Sequence, residues 1–159
     1  MEATMTVQKK QIEVKFYDTV EDSLLKFAVI ISKSNGKWVF CKHKERDTYE
    51  VPGGHREAGE SILETAGREL QEETGAVNFT ITPICVYSVT GKTRLNETGE
   101  ESYGLLCFAE ITEFSGKLES EMEQILLTSE LPVHWTYPLI QPKLLEKYSQ
   151  WEKSEKEKG

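Results

Sequence analysis

The chain has 159 residues, 38% of them hydrophobic and 29% charged, with a formal net charge of −8. That length fits a single domain with a buried core. No apolar run approaches the roughly 20 residues of a membrane span, and the negative balance disfavours non-specific nucleic-acid binding, so neither a membrane nor a DNA duplex is an expected partner. The opening MEATMTVQKKQIEVKF lacks the apolar segment of a secretory leader. Cys41, Cys85 and Cys107 are odd in number, far apart and set among apolar residues, which reads as buried free thiols. His43, His55 and His134 show no zinc-type spacing. A reducing, cytoplasmic location is the expectation.

In chain order, QIEVKFY (11–17) alternates like a strand. FAVIIS (27–32) is a β-branched run of the kind a buried strand shows, and the turn SNGK (34–37) leads into WVFCKH (38–43), so the pair reads as a hairpin. KERDTYE is a polar loop, and VPGGH (51–55) a breaker unsuited to helix or central strand. SILETAGRELQEET (61–74) is the strongest helix: Ser61 and Glu64 have capping-box spacing, Ile62, Leu63, Ala66 and Leu70 repeat at helical intervals, and Gly75 ends it. Residues 78–90 and 102–114 look like long strands around a polar loop (91–101), and EQILLT (123–128) like another. PKLLEKYSQW (142–151) is an amphipathic helix with Pro142 in its first turn. Residues 1–152 are expected to form the domain and 153–159 a frayed charged tail. The pattern implies an α+β fold, a mixed or largely antiparallel sheet with helices against it.

The central helix ends awkwardly. Glu69, Glu72 and Glu73 lie near its C-terminus, where the helix dipole disfavours acids. At about 100° per residue all three share one narrow face, beside the apolar stripe of Ala66 and Leu70. A solvated acidic face is the bland explanation. A hard divalent cation is the sharper one, because Mg²⁺ takes carboxylate oxygens and keeps other positions for water and phosphates.

The spacing carries further. Gly54, five residues, Glu60, seven residues, then Arg68-Glu69-Leu70-Gln71-Glu72-Glu73-Thr74-Gly75-Ala76 resembles the Nudix box. All seven specified polar and glycine positions match, and a chance match is on the order of 10⁻⁵ from average residue usage. Ala76 is smaller than the usual final aliphatic residue. The box occupies 54–76, only 23 of the 159 residues. The resemblance implies an α/β/α sandwich, a mixed sheet packed between helices, and an enzyme that hydrolyses a diphosphate with Mg²⁺ or Mn²⁺. It implies Glu72 and Glu73 as metal ligands, Glu69 as a further ligand or the general base, Glu60 and Arg68 as supports of the cluster, and the Gly53 carbonyl as another ligand. It also implies a carboxylate from a later loop; among Glu119, Glu121 and Glu123, Glu121 is the first choice.

On the substrate side, Lys42, Lys44, Arg46 and His55 are candidate diphosphate contacts, against the competing reading of a lysine-decorated strand edge. His43 and Arg56 lie beside them in sequence, and Lys92 and Arg94 sit in the 91–101 loop. The chain looks most similar to MutT-type nucleoside triphosphate pyrophosphohydrolases, with a C-terminal segment resembling the YtkD-like Bacillus group. That implies a small-molecule (deoxy)nucleoside triphosphate, among them purine dNTPs and 8-oxo-dGTP, split into monophosphate and pyrophosphate. The alternatives are the 5′ end of RNA, a nucleoside diphosphate sugar, and a non-catalytic nucleotide-sensing module.

Overall fold

The computed structural model describes residues 12–93, 96–116 and 122–158. Its elements are β1 (Glu13–Tyr17), a 3-10 turn (Asp22–Leu24), β2 (Leu25–Ser34), β3 (Lys37–His43), β4 (Tyr49–Glu50), β5 (Gly53–His55), α1 (Ile62–Thr74), β6 (Ala76–Thr90), β7 (Ser102–Phe114), β8 (Met122–Thr128) and α2 (Gln141–Lys158). The strands form one sheet in the order β1-β6-β7-β2-β3-β4, with β5 joined to β2 and β8 to β3. β2 and β7 run parallel; the remaining pairs are antiparallel. The sheet is therefore mixed.

The continuous apolar run of β2 is explained by burial on both faces. Ala28 and Ile30 join Leu105, Cys107, Ala109 and Ile111 of β7 against Ile62, Ala66 and Leu70 of α1. Their neighbours Ile31 and Leu106 face the other way, against Leu144, Leu145 and Tyr148 of α2. The two helices thus cover opposite faces of one sheet. All three cysteines are buried free thiols.

Two local expectations are corrected. VPGGH does enter the sheet: Gly53–His55 pairs with Phe27–Val29. β3 meets β2 only at Ser32–Ser34, so the two strands diverge and leave an edge for a short strand without bulky side chains. Leu63 is 47% exposed and stands outside the apolar stripe. Thr65 and Thr74 take buried places on the helix, their hydroxyls satisfied by the carbonyls of Ser61 and Leu70. Helix α2 continues to Lys158, with lysines in its last turn, where the helix dipole favours cations.

Helix α1 has the ends its sequence specifies. Ser61 Oγ accepts from the Glu64 N–H at 3.1 Å and Glu64 Oε1 accepts from the Ser61 N–H at 2.8 Å. Gly75 closes the helix at φ 78°, a left-handed conformation that favours glycine. β5 and α1 are joined by only residues 56–61, so the two glycines of β5 lie beside the second half of α1.

Candidate functional site

In the alternation of an antiparallel pair, Ala28 and Gly54 occupy a hydrogen-bonded position between the Ile30–Pro52 and Lys26–Arg56 bonds. Gly53 falls at the intervening position, so its N–H and C=O both point away from β2. The N–H donates to Glu73 Oε1 at 2.8 Å, which turns the carbonyl towards the same edge. At Gly54 there is no room for a side chain: a Cβ would overlap the Glu69 carboxylate. Both glycines are small of necessity, since a Cβ at Gly53 would meet the Ala28 carbonyl at 2.6 Å, and the two serve different acids, Gly53 bonding Glu73 and Gly54 making room for Glu69.

Arg68 is the hub of the acid face. Its Nε donates to Glu60 Oε2 at 2.5 Å and one terminal nitrogen to Glu60 Oε1 at 3.0 Å. That same nitrogen also donates to the His55 carbonyl at 3.0 Å. The other terminal nitrogen reaches Glu69 at 2.9 Å and Glu72 at 3.3 Å. Glu60 also accepts from the Thr65 hydroxyl and the Glu57 N–H. These bonds, led by Arg68, hold the Glu60 carboxyl down at about 2. Arg68 is raised still further above its ordinary range, first by Glu60.

Glu69 and Glu73 behave differently. Burial raises the Glu69 carboxyl, although Arg68 opposes the change. Burial pushes Glu73 up to about 8, against the Gly53 bond and with Glu69, Glu50 and Glu72 adding. Arg68 bonds Glu60, Glu69 and Glu72, while Glu73 is held by the Gly53 N–H. Among the described residues no three acids, histidines or cysteines converge on one point; Glu72 and Glu69 turn to Arg68, and Glu73 to Gly53. The donors are all hard oxygens, and Glu73 is a partly buried carboxylate among other acids. That set fits a divalent cation, which reverses the local preference for the protonated acid.

Glu73 and both glycines also line a cleft of about 270 Å³. Its walls include Phe27, Tyr87, Tyr137, His43, Arg46 and Glu50. Of the expected substrate contacts, Arg46 and His55 reach this cleft, while Lys42 and Lys44 are not among its lining residues. Arg56 is engaged elsewhere, with Asp22 at 2.9 Å. Glu119, Glu121 and Arg94 lie outside the described residues, and Glu123 falls within β8. Sequence reasoning did not single out Glu50 or Gln141. Glu50 had one signal, its place just before the proline and glycines. Gln141 had none, because its partner Val51 is 90 residues away.

Comparison with known proteins places these features. A family model described as the NUDIX domain matches residues 23–147. Over 84 residues the chain is 34% identical to "Putative 8-oxo-dGTP diphosphatase YtkD" of Bacillus subtilis (strain 168), covering 53% of this chain and 52% of that protein. The match thus spans about half the length of that relative. The fold is similar to a crystallised mutant of the Bacillus subtilis pyrophosphohydrolase BsRppH, with TM-score 0.71 and 26% identity over 87% of this chain and 90% of that one. It is also similar to a NUDIX hydrolase from Nitrosomonas europaea, with TM-score 0.62 and 20% identity over 79% and 89% of the respective chains.

Proposed function

Because the chain belongs to the Nudix family, we propose that it is a divalent-metal-dependent hydrolase cleaving the diphosphate linkage of (deoxy)nucleoside triphosphates to monophosphate and pyrophosphate. The observation that carries the reading is the acid face of α1 meeting the two glycines of β5 at the mouth of the cleft. The similarity to YtkD supports a nucleoside triphosphate as substrate.

Glu69, Glu72, Glu73 and the Gly53 carbonyl would hold Mg²⁺ or Mn²⁺. When bound, the ion supplies charge neutralisation to the diphosphate and a more acidic water. The chain's own residues do the rest. Glu69, half-buried and with its carboxyl raised, takes the proton from the attacking water. Arg68 fixes Glu69 and Glu72 while Glu60 anchors Arg68. Water adds to the phosphorus, the phosphorus–oxygen bond to the leaving group breaks, and pyrophosphate departs. Arg46 and His55 lie in the cleft to receive phosphate oxygens. Such displacement is chiefly a matter of positioning and charge. The expected result is Mg²⁺-dependent pyrophosphate release from a nucleotide, lost by at least about 100-fold in Glu72→Gln and Glu73→Gln with the fold intact. Full activity in both variants would remove the metal assignment.

The similarity to the pyrophosphohydrolase BsRppH supports the same bond cleavage, and a second substrate for that chemistry is the 5′ triphosphate end of RNA. A triphosphorylated RNA assayed beside free nucleotides separates the two by their kcat/KM.

A further inference from the structure

The start of β2 is irregular. In a regular strand Leu25 and Phe27 would share a face. Here the pairing with β7 shifts between them: Leu25 stands opposite Tyr103 and Phe27 opposite the next residue, Gly104, so Lys26 is an extra residue on β2. Such a bulge re-aims the side chains beyond it. Leu25 accordingly packs on the α1 face, and Phe27 on the α2 face with Val29 and Ile31. The bulge thus turns Phe27 into the cleft, which it lines beside the two glycines of β5.

Gly104 receives the ring. It is buried, and it stands opposite Phe27 on one side and Tyr87 of β6 on the other. Strands two places apart in a sheet are separated by about 10 Å. The Phe27 and Tyr87 rings nevertheless meet over β7, with centroids 5.5 Å apart and planes at 68°, because the residue between them has no side chain. A Cβ at Gly104 would overlap Cδ2 and Cε2 of Phe27. A glycine inside a strand often marks such a close approach. Tyr87 bounds the Phe27 ring on one side and His55 on the other, at 6.4 Å between ring centroids, and β7 bounds it from below. The direction left open is the cleft.

We propose that Gly104 is a positioning residue of the cleft: by leaving space beneath Phe27 it lets the ring lie down on β7, and so keeps open the volume that receives the nucleoside part of the substrate. This rests on the nucleotide reading of the same cleft. Phe27 precedes Ala28, and Ala28 pairs with Gly54, so the ring adjoins the place assigned to the diphosphate. Gly104 is not itself among the residues lining the cleft; it acts through Phe27. A methyl at position 104 meets the far end of a side chain rather than backbone. The ring therefore yields while the strands stay, and it rises into the cleft of about 270 Å³.

A double-mutant cycle on binding tests this, apart from hydrolysis. The probes are the α,β-methylene analogues of dATP and dGTP, titrated by calorimetry with Mg²⁺ into the full chain. Gly104→Ala is expected to weaken both by about tenfold or more, since a raised ring shuts out either nucleoside. In the Phe27→Ala background the added Gly104→Ala is expected to weaken them by less than about twofold, because the ring it displaces is gone. Steady-state kinetics of Gly104→Ala should show KM raised by about tenfold or more, with kcat within about threefold of the wild type. Its Tm should fall by about 2–4 °C, with the rise on adding Mg²⁺ intact. A weakening that is as large without Phe27, or no weakening at all, overturns the proposal. So does a Gly104→Ala chain that fails to fold, since the ring has then not yielded. Wild type and Gly104→Ala binding the analogues equally well would sink this positioning role alone. A wild type that binds neither analogue would sink the nucleotide reading, and the proposal with it.

Discussion

Glu73 sits where a carboxylate is disfavoured, partly buried beside Gly53 and facing other acids. Its folded pKa of about 8 stands above the ordinary 4.5, so the native state holds this proton more tightly than the unfolded chain does. The stability this gives is complete below about 4.5 and is lost as pH rises towards 8. Glu60 has the opposite sign: its stabilisation is present above 4.5 and fades as pH falls towards 2. Urea unfolding of the metal-free protein should therefore show stability falling between pH 5 and pH 8, by on the order of 1–3 kcal/mol. Glu73→Gln keeps an oxygen for the Gly53 N–H and should flatten most of that fall; an unchanged slope would show that burial of this acid is not its cause. At Gly54, the added methyl of Gly54→Ala meets the Glu69 carboxylate. It is expected to lower kcat by roughly 100-fold through misplacement of Glu69, with a much smaller change in Tm, which steady-state kinetics and thermal melts check together.

Helix α1 carries its instructions locally, and its ends could be read from the chain alone. Ser61→Ala removes one half of the capping box and should cost about 1 kcal/mol in urea unfolding. The acid face was equally legible, because Glu69, Glu72 and Glu73 occupy one side of a helix whose period is known. Leu63 was misread because helical spacing does not say which edge of an apolar stripe meets the sheet, and two threonines with satisfied hydroxyls filled the core instead. The pairing of Gly53–His55 was hidden for a different reason. Its partner strand becomes available only where β2 and β3 part, a feature of topology rather than local propensity. The same distance in sequence concealed Gln141, which acts through Val51. Helix α2 runs to Lys158 with lysines in its last turn, where its dipole favours cations. Its last turn is solvated, so a chain ending at Glu152 should differ from the full one by less than about 0.5 kcal/mol in chemical denaturation.

At the scale of the molecule, the two helices divide the labour. Helix α1 brings the acids to the glycines from one face of the sheet, and α2 closes the cleft wall from the other. Tyr148 packs α2 down, with Phe108 stacked on it at 5.0 Å and Trp38 edge-on at 5.6 Å. The acid face concentrates part of the chain's −8 charge in one partly buried place, where Arg68 offsets it directly. The account's central claim is that this concentration exists to bind a divalent cation. Its most direct test is the thermal unfolding of wild type and Glu72→Gln, each titrated with Mg²⁺ at fixed ionic strength and pH 8. A ligand bound by the native state alone raises stability by about 2.7 kcal/mol at a hundred times its Kd. The account predicts that Mg²⁺ raises the Tm of the wild type and raises that of Glu72→Gln by clearly less. Equal shifts in the two proteins, or no shift in the wild type, would contradict it.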